Sequence, residues 1–144
     1  MTLRIVQAVS EADLLDWQHV HNEIIPTDPL SLEAIRERAG RNRLTVAYDG
    51  DKLVGCSTVR PPSEETPAAT VIVRVLAAYR RQGYGTEMYA GELAAARALA
   101  ESVETIVLEP NHDGLRFALA LGFVEFERYV HEGATYITLR LADR

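Results

Sequence analysis

The segment Arg80-Arg81-Gln82-Gly83-Tyr84-Gly85-Thr86 sets two arginines against two glycines immediately before an Ala- and Leu-rich stretch. Such a turn suits anion binding. Glycines let backbone amides converge on an oxyanion, a following helix N-terminus adds partial positive charge, and the arginines supply countercharge. The same residues would also serve as an ordinary strand-to-helix turn carrying two solvated arginines. Two nucleotide motifs are excluded. A dinucleotide G-x-G-x-x-G fingerprint needs glycine where Met88 stands, and a phosphate loop of the Gly-Lys-Ser/Thr type is absent.

Other chemistry-bearing residues are sparse. His19 and His21 are two apart on an expected helix and do not share a face, which argues against a metal pair; no metal site is expected. His112 is of a residue type suited to proton transfer and reads here as a surface side chain, and His131 is an isolated strand residue. Cys56, the single cysteine, sits among alternating small residues and reads as a buried structural thiol; it excludes an internal disulfide and a cysteine-based zinc cluster.

The elements that must position these residues are legible from periodicity and turn chemistry. Residues 3–9 read as a strand, Ser10 as the N-cap of a helix to about Ile24, and Ser31 as the cap of a shorter helix to Ala39, closed by Gly40. Strands 43–49 and 52–60 are joined at Asp49-Gly50, a strong hairpin signal. Three prolines make 61–67 a loop. The β-branched run 70–75 reads as a strand, and residues 83–101 as a helix with Tyr89, Leu93, Ala96 and Ala100 on one stripe. A strand at 103–109, a helix at 112–121 and strands 123–132 and 134–142 complete the order. Strand-helix-strand units joined to hairpins predict an α/β domain with a mixed sheet, one domain spanning 1–144 without internal repeats.

Composition narrows the class. With 144 residues, 47% of them hydrophobic, and a net charge of −6, the chain can bury a core without staples. No apolar run is long enough to span a bilayer and no signal peptide is evident, so a cytoplasmic protein without a membrane partner is expected. The acidic balance argues against nucleic acid as a partner, aminoacyl-tRNA included.

At this point the chain resembles the GCN5-related N-acetyltransferases, which move an acetyl group from acetyl-CoA to an amine. Arg80-Arg81-Gln82-Gly83-Tyr84-Gly85 is similar to their Arg/Gln-x-x-Gly-x-Gly/Ala signature, and Asn111-His112-Asp113-Gly114-Leu115-Arg116-Phe117 through Gly122-Phe123 looks like their second signature. The element order agrees along essentially the whole chain. The resemblance implies a mostly antiparallel sheet of about seven strands that splays at its centre, flanked by about four helices. It implies that the amides from Arg81 through Gln82, Gly83, Tyr84 and Gly85 to Thr86 hold the CoA pyrophosphate, with Arg80 or Arg81 near the phosphates. The backbone of Val73-Arg74-Val75 would pair with the pantetheine arm, and Asn111 would touch the cofactor while also serving as a helix N-cap.

The resemblance fails at proton handling. The family's usual tyrosine acid falls on Ala118, and its usual glutamate on about Ala69. Glu109, at the end of the strand bordering the splay, is the substitute base by position, with a solvated strand-end carboxylate as its plainer reading. Tyr129 is the candidate acid, with Tyr136 beside it on the closing strands. The acidic first two helices (Glu11, Asp13, Asp16, Glu23, Asp28, Glu33, Glu37) would attract a cationic small-molecule or peptidic amine, with solvated helix faces as their plainer reading, and leave the acceptor itself open. A non-catalytic acyl-CoA sensor is the alternative. The closing strands offer an edge for pairing, so both monomer and homodimer are open.

Overall fold

The computed structural model describes residues 3–141. In chain order the elements are β1 (Arg4–Gln7), α1 (Glu11–Ile24), α2 (Leu32–Ala39), β2 (Arg43–Asp49), β3 (Lys52–Arg60), β4 (Ala69–Val75), α3 (Tyr84–Arg97), β5 (Val103–Leu108), α4 (His112–Ala120), β6 (Phe123–His131) and β7 (Ala134–Leu141). Side-chain caps start three helices: Ser10, Ser31 and Asn111 accept from the amides of Asp13, Ala34 and Gly114. Gly83, at φ 84°, starts α3 without a side-chain cap.

The strands form one sheet in the order β1-β2-β3-β4-β5-β7-β6. Every neighbouring pair is antiparallel except β4 with β5, which run parallel. The mixed, mostly antiparallel seven-stranded architecture agrees with expectation. Each face is covered by helices because each face is apolar. Val59, Val71 and Val103 pack with Tyr89 and Ala96 of α3, together with Phe123, Ile137 and Leu139. On the opposite face Leu44, Val46 and Cys56 pack against Leu14, Trp17 and Val20 of α1 and Ile35 of α2.

Differences from the expected elements lie at their ends. β1 stops at Gln7, two residues early, and Ala8 instead donates its amide to the Leu44 carbonyl. A 3-10 turn at Ala77–Tyr79, which carries no helical periodicity, lies between β4 and the glycine turn. α3 ends at Arg97, four residues short, and β5 ends at Leu108, leaving Glu109 and Pro110 in a turn. Ala142, the expected last residue of the closing strand, lies outside the described residues.

Candidate active site

β4 and β5 share only two register pairs, Ala69 with Val103 and Thr70 with Glu104. Beyond Thr70 the strands part, and a cleft of about 1110 Å³ opens between Ile72–Val75 and Thr105–Leu108. The cleft passes through the sheet. On the α3 side it is lined by Arg80, Arg81, Gly83, Gly85, Thr86 and Asn111, and on the α1 side by residues of α1, α2 and β7. Val73, Arg74, Val75 and Tyr129 line it as well.

The glycine turn is shaped to receive an anion. Arg81 (φ 65°) and Gly83 (φ 84°) both adopt the left-handed conformation, which curls successive amides towards one side. Among the described residues, the amides of Tyr84, Gly85 and Thr86 find no acceptor, as expected for an uncapped first helical turn. Gly85 packs closely against α4: a Cβ there would sit 3.3 Å from Phe117 Cζ, so that ring would have to shift. The residues present therefore fit a pyrophosphate. Arg80 bends back so that Nε donates to the Val75 carbonyl at 2.8 Å, while Arg81 (3.5 Å) and Arg116 (2.6 Å) share the carboxylate of Asp113. The hydrogen bond from Arg116, then the charge of Arg81, holds that carboxyl below its usual range. Asn111 is an N-cap through Oδ1 and also lines the cleft.

Gln82 and Tyr84 stand apart from the cleft lining. Gln82 is exposed, and the buried Tyr84 ring packs with Met88 and Val54 while its hydroxyl donates to Asp49. Glu109 is not brought to the cleft. It receives Arg128 Nη1 at 2.7 Å and lines a separate depression with Pro110 and His112. Tyr129 stacks on Tyr136 with ring centroids 5.4 Å apart, and burial raises its pKa. Ala118 lines the cleft as a buried small side chain. Cys56 is fully buried, and burial pushes its thiol up to about 12.

Sequence reasoning missed His21. The ring lies on α1, stacked on Trp17 at 5.3 Å, and lines the cleft. Asn22 Oδ1 accepts from the Leu30 amide while its Nδ2 donates to the Leu30 carbonyl, so Oδ1 can only accept from His21 Nδ1 at 2.9 Å. The proton thus sits on Nδ1 and Nε2 keeps its lone pair. Burial first, then the charges of Arg74 and Arg38, outweighs the Asn22 bond and lowers the imidazole pKa. A two-residue spacing contained no hint of this; burial against Trp17 creates it.

The acidic bias of the first helices does not reach the cleft either. Glu11 pairs with Arg36, Glu37 with Arg41 and Glu23 with His19, and Asp16 accepts from the Tyr48 hydroxyl. Of the seven acidic residues named above, only Asp28 lines the cleft.

Residues 6–123 match the model of the acetyltransferase (GNAT) family. The chain belongs to that family. It is accordingly an acetyltransferase enzyme whose donor is acetyl-CoA. The GNAT fold is shared with an N-acetyltransferase from Staphylococcus aureus Mu50 (12% identity, 98% of each chain covered, TM-score 0.79). It is shared with yncA of Salmonella typhimurium, solved with its cofactor acetyl-CoA (14% identity, 98% of this chain and 94% of that one, TM-score 0.77). A ribosomal-protein-alanine N-acetyltransferase from Brucella melitensis is similar too (19% identity, 97% and 98% covered, TM-score 0.76). No curated protein matches the chain. Among the described residues no group of three metal-ligating side chains forms, and no helix is long and apolar enough to cross a membrane.

Proposed function

We propose that this GNAT enzyme acetylates a primary amine of a small molecule or peptide by direct attack on the thioester. The observation that carries the reading is a single cleft with an anion-binding turn at one end and an unprotonated imidazole at the other, passing through the β4–β5 opening. Acetyl-CoA, when bound, supplies an activated acyl group and a good leaving thiolate. The turn from Arg81 to Thr86 would hold its pyrophosphate, with Arg80 alongside, the unpaired edge of β4 at Val73-Arg74-Val75 would take the pantetheine arm, and Asn111 would border it.

An amine attacks only when unprotonated. His21, neutral and with Nε2 free of hydrogen bonds among the described residues, suits proton removal; the ion-paired Glu109 outside the cleft does not. Tyr129, its hydroxyl kept protonated by burial, is assigned the return of a proton to the thiolate. A covalent acyl-enzyme is not required, and the buried Cys56 thiol is not suited to form one.

Calorimetric titration with acetyl-CoA tests the reading, with Gly85→Asp as the companion. The parent should bind, and the variant, folded by circular dichroism, should bind at least about tenfold more weakly because a carboxylate would face the pyrophosphate. Parent protein that ignores millimolar ligand would overturn it. Tight binding with no turnover of any amine would favour the sensor.

A further inference from the structure

The half of the cleft beneath α1 and α2 is basic, in a chain whose net charge is −6. Arg38 from α2, Arg60 at the end of β3 and Arg74 in β4 all line it. Register explains the convergence. Arg74 lies opposite Cys56 and Arg60 opposite Thr70, and Cys56 packs against Trp17 on the face that α1 and α2 cover. Side chains at 56, 58 and 60 share that face by alternation, so Arg60 and Arg74, four residues apart in register, project from the same face of the sheet into the cleft that Arg38 of α2 also lines.

Among the described residues none of the three forms an ion pair. By contrast Arg36, Arg41, Arg43, Arg128 and Arg140, outside the cleft, each hold a carboxylate. All three cleft arginines are partly buried, and the group is close enough that Arg38 and Arg74 add to the burial that depresses Arg60. Arg74 is likewise depressed by burial and, further, by Arg38. Like charges held together half out of water are costly unless an anion joins them. The CoA phosphates have their own cations, Arg80, Arg81 and Arg116, on the other face. Asp28, beside His21, is the carboxylate on this side, and it is exposed.

We propose that Arg38, Arg60 and Arg74 form an oxyanion subsite, and that the acceptor is a small primary amine carrying a carboxylate or phosphonate, with its amino end at Asp28 and His21. The inference rests on the acyl-transfer reading and narrows it. It also replaces the expectation of a purely cationic acceptor, since the acidic residues that suggested one, Asp28 excepted, are paired with their neighbours or lie outside the cleft.

The test compares acetylation of α-amino acids, the matching aminophosphonates, the matching carboxamides and plain diamines by the parent, Arg38→Gln and Arg60→Gln. Anionic amines should be preferred over carboxamides by about 100-fold in kcat/KM. Each variant should lose about 10- to 100-fold on anionic acceptors, mostly in KM, the loss expected for one charge-assisted bond. Carboxamide turnover and acetyl-CoA affinity should stay within about twofold. The proposal is overturned if diamines or carboxamides match the anionic amines, if the variants behave as the parent, or if they lose acetyl-CoA binding, which would give these arginines to the donor. With acetyl-CoA bound, failure of every anionic amine either to react or to bind the CoA-loaded protein overturns the subsite alone. Without acetyl-CoA binding by the parent, the transferase reading and the subsite both fall.

Discussion

At the scale of single residues, environment outweighs identity. His21 and His19 are two positions apart, yet one is buried in the cleft and the other is an exposed partner of Glu23. Burial, ahead of the charges of Arg74 and Arg38, places the folded His21 pKa below its ordinary 6.5. The unfolded chain then binds the proton more readily, so the stability linked to this group is complete above about pH 6.5 and is lost as pH falls through the folded value. His21→Gln should remove the acid limb of the kcat profile and lower kcat by about 100-fold, whereas an unchanged limb would assign the base elsewhere. Tyr129→Phe should lower kcat with little effect on acetyl-CoA affinity, measured by calorimetry. Tyr89 offers a stability test, because its buried hydroxyl has no hydrogen-bond partner among the described residues. Tyr89→Phe should therefore leave the denaturation midpoint unchanged or raise it slightly; a loss above about 1 kcal/mol would show that the hydroxyl finds a hydrogen-bond partner in solution.

At the scale of elements, an ion pair with a buried carboxylate ties a helix to a strand. Glu92 of α3 is 1% exposed and receives Arg43 of β2 at 3.2 Å. Arg43→Ala would strand a buried carboxylate and should cost about 3–5 kcal/mol by chemical denaturation. The Arg43→Leu/Glu92→Leu pair should recover most of that loss, which a purely packing role of Arg43 would not permit. The uncapped start of α3 follows a different logic. Ser10, Ser31 and Asn111 satisfy their helices internally, while α3 leaves its first amides open at the glycine turn. On the proposed reading, stability is given up there in favour of a place for the pyrophosphate.

At the scale of the whole molecule, the sheet is continuous on both sides of one gap. β4 and β5 are held together only at Ala69–Thr70 and Val103–Glu104, so the two halves meet through a short parallel seam and the helices. A ligand spanning the gap should couple them. Acetyl-CoA at 100 times its Kd should add about 2.7 kcal/mol to unfolding stability, seen as a rise in Tm that Gly85→Asp largely abolishes. No shift at that ligand concentration would mean that acetyl-CoA does not bind the folded protein.

The sequence by itself determined the local grammar. Capping serines, the Asp49-Gly50 turn, alternating strands and the glycine turn each depend on residues within a few positions, and both signature segments were legible for the same reason: a backbone cradle is encoded contiguously. The end of the cleft proposed above for the cofactor was therefore readable from the residues that line it, Arg80, Arg81, Gly83, Gly85, Thr86 and Asn111. The acceptor end was not, because it is assembled from α1, α2, β3, β4 and β7, and its character follows from strand register and the helices that cover the sheet. Only the tertiary structure paired Glu109 with Arg128, neutralised the acidic helices with their own neighbours, and brought Arg38, Arg60 and Arg74 together. Charge counted along a chain sums everything, whereas a binding site feels only the charges left unpaired within a few ångströms.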